Sequence, residues 1–378
     1  MFARMESFEP ILYSVHDDGP LRRLSTVVRL WVNMLRAGKL IPSDIAGQLR
    51  TALAENGWDE AARDVQQDAS EGFVFITEKL SMPLLTLKMD IAHGGKDAAA
   101  DDHKFINERL LAVPVPGTAA DPPIRLEACL EEYFANSVTV RRQIERRLTM
   151  DSVARQKRNS VHIETVEVPA EMTSAAAAKA AEAAEESANV KRTARRSSVK
   201  TGRPHLRRAG SSRQEISLMA WAFLQLLPFY TDSAATGSGG ATMAEHFAHK
   251  RPVMVVCLKR YTWAGTRGVR NERQVIVPES IDLPKIVADD MVGRRGNHVH
   301  HGRFRLVLEA AICHRGKSLS AGHYISLVRD SVRGSDPASR AWLKFDDMGS
   351  PKVSHTTLAE GLSSEFPYLL FYRMTTRD

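Results

Sequence analysis

The chain has 378 residues, room for two or three average domains or one large domain with insertions, and its 43% hydrophobic content is enough for a sizeable core. Of the net charge of +7, Lys191 to Arg213 alone holds nine basic residues and no acidic one, which leaves the rest of the chain at −2; the basic balance belongs to that segment and not to the fold. Only Cys129, Cys257 and Cys313 are present, without a Cys-x-x-Cys pair, which argues against a disulfide framework or a cysteine-rich zinc site and fits a reducing compartment.

The first residues, Met1 to Glu6, contain no apolar h-region and no small-residue cleavage site. The longest apolar stretch, Leu218 to Phe229, is short of the ~20 residues a bilayer span needs and is interrupted by Pro228. These features predict an intracellular protein, in cytoplasm or nucleus, with no membrane span.

The first 150 residues read mainly as helix. Asp18-Gly19-Pro20 starts one, with Leu21, Leu24, Val28, Trp31 and Leu35 recurring at three-to-four spacing up to Gly38. A second is predicted from Ser43 with Ile45, Leu49 and Ala52 inward. A third starts at Asp68, where Glu71 completes a capping-box-like pair ahead of Phe73, Ile76 and Leu80. Leu84 to Ile91 and Leu110 to Val115 read as strands, and Leu126 to Phe134 as a short helix. From Glu171 to Arg213, alanine with Glu and Lys gives way to Arg, Ser, Lys and Gly with almost no large apolar side chain, the composition of a disordered insertion. Beyond it strands dominate: Val253 to Leu258 is apolar on both faces, while Phe304, Leu306, Leu308, Ala310 and Ile312 alternate with more polar neighbours. Helices followed by antiparallel sheet predict an α+β fold with a cleft between the two parts.

The chemistry gathers near the C-terminus. Gly322-His323-Tyr324 opens a strand, and Trp342-Leu343-Lys344-Phe345-Asp346-Asp347 follows about one hairpin later, which places an imidazole and a carboxylate on neighbouring strands. A His oriented by an Asp is two-thirds of a catalytic triad, because the carboxylate fixes the imidazole tautomer and stabilises its protonated form. Taken singly, His323 reads first as an ordinary strand histidine, and Asp346 and Asp347 as turn acids beside Met348-Gly349-Ser350-Pro351; it is their joint arrangement that points to chemistry.

With these residues on the page, the chain resembles the ubiquitin-specific protease family. The resemblance runs through Cys313-His314-Arg315-Gly316 and Ser320 to Arg329, the Leu258-Lys259-Arg260-Tyr261 strand, Trp342 to Asp347, Tyr368 to Tyr372, and upstream through Val65-Gln66-Gln67-Asp68-Ala69-Ser70-Glu71 and Asn107 to Leu111. It implies a papain-like cysteine protease fold: a helical thumb over residues 1–150, the insertion at 171–213, and a β-rich palm and fingers over 214–378. It implies His323 as general base, Asp346 as its orienting acid with Asp347 as the alternative, and Gln67, Asp68 and Tyr324 as substrate-binding residues. Asp68 would hold the extended tail of ubiquitin; as a residue before a helix it is equally an N-cap, and both roles can hold together.

Family members carry an Asn, a few variable residues and Thr-Cys-Tyr opening a helix, and no such stretch occurs here. Met1-Phe2-Ala3-Arg4 resembles what lies on that helix about a dozen residues after the nucleophile in fungal-type members, the helix whose start would lower the thiol pKa. Cys129 sits mid-helix among acids, Cys257 in a buried strand and Cys313 in a strand beside Ile312, so all three read as packing residues. The expectation is a chain that starts at an internal Met, lacks its nucleophile and shows no hydrolysis as written; the alternative is a ubiquitin-binding pseudoprotease. No cofactor or metal is expected, and His298, His300 and His301 read as a polar turn. The partner implied is ubiquitin with its conjugates. The segment 191–213 could contact nucleic acid through phosphates, but without interleaved aromatics it reads as a solvated linker, in which Arg195-Arg196-Ser197-Ser198 resembles a basophilic kinase site.

Overall fold

The computed structural model describes residues 8–13, 18–63, 66–93, 102–146, 212–227, 252–264, 267–282, 304–316, 322–330 and 341–376. The Ala-rich and basic segment lies outside them apart from Ser212 and Arg213, which open a strand; Ser198, His298, His300 and His301 also lie outside. Two compact units divide the chain: Met1–Lys88 with Asn107–Phe134 and Leu224–Asp378, and Met89–Ile106 with Ala135–Phe223.

In the first unit two helices begin at aspartates that cap them. Asp18 accepts from the Leu21 N–H at 3.0 Å and Pro20 occupies the first turn of helix Gly19–Arg36, whose buried stripe is Leu24, Val28 and Val32. Leu35, expected inward, is exposed, because the stripe shifts to Val32 on the last turns. Helix Ser43–Glu55 buries Ala52 and Leu53, and helix Ala69–Lys79 starts at Asp68 and buries Phe73. Phe73 meets Phe8 edge-on at 6.1 Å and Phe371 at 5.6 Å, so an aromatic trio, each pair contributing about 1 kcal/mol beyond its buried area, seats this helix on the sheet below.

The strands are β1 Leu85–His93, β2 His103–Glu108, β3 Leu111–Pro114, β4 Ile124–Arg125, β5 Ala135–Arg146, β6 Ser212–Leu226, β7 Val253–Lys259, β8 Tyr261–Ala264, β9 Arg267–Arg270, β10 Val275–Ile276, β11 Ser280–Ile281, β12 Phe304–Arg315, β13 His323–Arg329, β14 Trp342–Phe345, β15 Val353–Thr356 and β16 Pro367–Thr376. An eight-stranded sheet runs β15-β14-β13-β12-β16-β7-β3, with β11 paired to β12. Its pairings are antiparallel except the parallel β3–β7 edge. β7 lies between β16 and β3 and six of its seven residues are buried, so both of its faces are covered, which is why Val253 to Leu258 carries no polar alternation. Arg260, just beyond it, is 2% exposed and spends its guanidinium on the carbonyls of Pro367, Asn271 and Arg273; burial lowers its pKa to about 10.

The second unit contains most of a four-stranded sheet ordered β2-β1-β6-β5. β5 and β6 pair antiparallel over Ala135↔Phe223 to Arg146↔Ser212. Met219, Trp221 and Phe223 lie exposed on one face of β6, with Ala220 and Ala222 buried on the other. Among the described residues no helix is long and apolar enough to cross a membrane.

Candidate active site

Three strand ends meet at one edge of the large sheet. β12 ends at Arg315, β13 begins at His323 directly opposite it, and β14 pairs with β13 through Ser326↔Phe345 just before Asp346. The turn from Asp346 to Lys352 is closed by Asp346 N–H to Lys352 O at 2.9 Å and Gly349 N–H to Asp346 O at 3.1 Å.

His323 Nε2 lies 2.8 Å from Asp346 Oδ1 and 3.5 Å from Asp347 Oδ1. Asp346 is 14% exposed and Asp347 80%, so Asp346 is the carboxylate held against the imidazole while Asp347 faces solvent beside it. Asp346 also accepts from the Met348 N–H at 3.1 Å and from Arg315 Nη1 at 2.9 Å. The hydrogen bond with His323, followed by those from Arg315 and Met348, holds its carboxyl below the usual range. With Nε2 committed to Asp346, Nδ1 is the ring nitrogen left to take a proton.

The predicted substrate-binding residues fall nearby in the same unit. Asp68 caps helix Ala69–Lys79 by accepting from Ser70 N–H at 2.6 Å, and the Tyr368 hydroxyl reaches both of its oxygens. Burial opposes ionisation of Asp68, but the hydrogen bonds from Tyr368 and Ser70 outweigh it and lower its pKa. Tyr324 Oη accepts from the Ala69 N–H at 3.4 Å, and its ring lies on His314 at 4.7 Å; burial pushes its phenol up to about 12. Gln67 turns away and donates to Glu60 O at 3.3 Å. It is Gln66 that reaches the His323 end, accepting from the Gly322 N–H at 2.8 Å with its Nε2 3.5 Å from His314 Nε2. Burial and then Arg270 lower the pKa of His314, so its neutral Nε2 suits the acceptor role toward Gln66.

Sequence reasoning did not single out Gln66, Glu365 or Lys344 as site residues. Gln66 differs from Gln67 only in side-chain direction, which a motif does not display. Glu365 stands in a Ser-Ser-Glu-Phe-Pro stretch that looks solvated, yet its side chain is fully buried between Arg315 and Lys344.

Cys129, Cys257 and Cys313 are all 0% exposed. Burial raises each thiol pKa, that of Cys313 to about 12, so none is a ready nucleophile. His323, Asp346 and Asp347 each offer one ligand atom within 4.8 Å of the others, a geometry a divalent ion could use. Arg315 already occupies the second oxygen of Asp346, and a cation there would meet its charge, so the donor set suits proton transfer better than metal binding.

A family model described as ubiquitin carboxyl-terminal hydrolase matches residues 43–372. Among solved structures, one titled "Structure of the SAGA Ubp8/Sgf11/Sus1/Sgf73 DUB module bound to ubiquitin aldehyde" is similar with a TM-score of 0.54 and 16% identity, covering 100% of this chain and 66% of that one. Another, of the Ubp8-Sgf11-Sgf73-Sus1 SAGA DUB module, has a TM-score of 0.48 and 14% identity over 94% of this chain and 58% of that one. At 16% identity the first shows the shared fold, and the chain spans just under two thirds of its length. No curated protein sequence matches the chain.

Proposed function

The chain belongs to the ubiquitin carboxyl-terminal hydrolase family, and from that premise we propose that its site is the base-and-acid half of a cysteine-type deubiquitinase, acting on the bond after the C-terminal Gly of ubiquitin. The observation that carries the reading is the 2.8 Å contact between His323 Nε2 and Asp346 Oδ1. It fixes the tautomer in which Nε2–H donates to the carboxylate and Nδ1 presents a lone pair. A thiol brought to Nδ1 would give up its proton there and attack the carbonyl carbon, giving a tetrahedral adduct that collapses to a thioester as the bond to the Lys nitrogen breaks. His323 would protonate the Lys amine as it leaves, and water would then hydrolyse the thioester to release ubiquitin.

In this reading the thiol is none of the three cysteines, which are buried and held protonated. A thiol other than these three would serve as the nucleophile; in the absence of one, the same burial favours a ubiquitin-binding pseudoprotease. Gln66, Asp68 and Tyr324, around the start of helix Ala69–Lys79, would border the ubiquitin tail, with Asp68 serving as both helix cap and tail contact.

The test is cleavage of a ubiquitin C-terminal reporter by the protein made from its natural transcript, beside ubiquitin binding by the chain alone. The chain alone should bind ubiquitin without turnover. If the transcript supplies the thiol, His323→Ala should lower cleavage by about 10³-fold and leave ubiquitin binding intact. Turnover indifferent to His323→Ala, or no ubiquitin binding at all, overturns the reading.

A further inference from the structure

A second run of charges ends on the same carboxylate. Arg315 donates through Nη1 to Asp346 Oδ2 at 2.9 Å, while its Nε and Nη2 both donate to Glu365, the Nε–Oε2 distance being 2.8 Å. Glu365 is fully buried and also accepts from Lys344 Nζ at 2.9 Å. Burial opposes its ionisation, and the hydrogen bonds of Arg315 and Lys344 overcome that and lower its pKa.

This geometry does more than pair charges. A two-point contact fixes the plane of a guanidinium, so the direction of the remaining Nη1 is fixed too. Asp346 then has both oxygens assigned: Oδ1 to His323 Nε2 and the Met348 N–H, Oδ2 to Arg315. Released from Arg315, the carboxylate could turn about its terminal torsion, which is broad for Asp. Turned away, it would leave Nε2 with only exposed Asp347 at 3.5 Å, so the Nε2–H form would lose its close carboxylate acceptor and with it most of its advantage over the Nδ1–H form.

We propose that Arg315, anchored by buried Glu365, is a positioning residue that fixes the Asp346 carboxylate and, through it, the tautomer of His323. The inference rests on His323 as the general base but reaches a property of the ring that is measurable without turnover. A purely structural ion pair, tying β12 to β14 and the loop before β16, would give the same stability loss on mutation but leave the ring unchanged.

Imidazole ¹⁵N spectra of the ¹⁵N-labelled chain separate the two, with His323 assigned by the signals lost in His323→Ala and the pH set above the ordinary imidazole range. The unaltered chain should show His323 with its proton on Nε2. In Arg315→Met the Nδ1–H form should rise from a trace to a comparable population. Arg315→Lys keeps the cation but cannot hold two carboxylates in one plane, so it should show the same mixture. Glu365→Gln, close to isosteric, should move the ratio part of the way. Amide spectra establish that each variant is folded, and the Lys and Gln variants carry the test if the Met variant is not. A single Nε2–H tautomer retained in the folded variants overturns the positioning role. Absence of ubiquitin binding or cleavage would instead count against the proposed function and leave this result standing.

Discussion

The hydroxyl of Tyr368 lies 2.8 Å from Oδ1 and 2.6 Å from Oδ2 of Asp68, which stands 300 residues earlier in the chain. Through this contact the start of helix Ala69–Lys79 is held to the first residues of β16, and Ser70 Oγ adds a third bond to the same hydroxyl at 3.0 Å. Tyr368→Phe removes a hydrogen bond to a charged, half-buried group and should cost about 2 kcal/mol in denaturant unfolding. Asp68 has a lowered folded-state pKa, so its contribution is present above the ordinary carboxylate value of about 3.9 and is lost as pH falls through the folded value. The Phe variant should therefore lose less stability on acidification than the unaltered chain. Equal acid profiles would show that the contact does not form in solution.

The two acids after Phe345 are separable by their surroundings. Asp346 is fixed by His323, Arg315 and the Met348 N–H, while Asp347 is mostly in solvent. In the nucleophile-bearing protein, Asp346→Asn should reduce kcat by about 10²-fold or more with little change in KM for a ubiquitin reporter, because the amide can hold the ring in the wrong tautomer. Asp347→Asn should stay within about threefold, the size of a change at an exposed charge worth under 1 kcal/mol. A larger loss at Asp347 than at Asp346 would reverse the assignment.

Much of this site was readable in one dimension because its parts sit on short, ordered motifs. Helix starts at Asp18 and Asp68 follow from capping chemistry, and β7 follows from its unbroken apolar run. The adjacency of His323 and Asp346 followed from two strands about a hairpin apart. Strand β5 is hard to read from the sequence although Val138, Val140 and Ile144 carry a period of two, because the polar residues between them resemble the segment that follows. The Arg315–Glu365–Lys344 cluster had no local signature at all: its members are up to 50 residues apart, and it takes the pairing of β12 with both β13 and β16, and of β13 with β14, to bring them together.

All three cysteines should be silent toward a soluble alkylating reagent while the chain is folded. Each is 0% exposed, and burial raises every one of the thiol pKa values, so little thiolate exists near neutral pH and none is reachable. Mass spectrometry after a brief pulse should find no adduct under native conditions and three in denaturant, one for each cysteine. Rapid native labelling of any one would bring that residue back as a candidate nucleophile.

Gly322 is the point at which a single methyl group should separate the chemistry from the fold. A Cβ there would run into both the His314 ring and the carbonyl oxygen of Arg315. The side chain of His314 can shift, but the backbone of Arg315 is part of the β12–β13 pairing, so the strain has to be relieved at the entry to β13. That entry carries the Gly322 N–H bonded to Gln66 and, one residue on, the general base. Gly322→Ala should therefore cost about 1–3 kcal/mol in unfolding experiments and lower kcat for a ubiquitin reporter more than it changes KM, as His323 leaves its alignment with Asp346. Gln66→Ala, which frees the same segment without crowding it, should lower kcat in the same sense with a smaller loss of stability. Unchanged kcat in both variants would mean that His323 keeps its position without Gln66 or the close approach of Gly322 to β12.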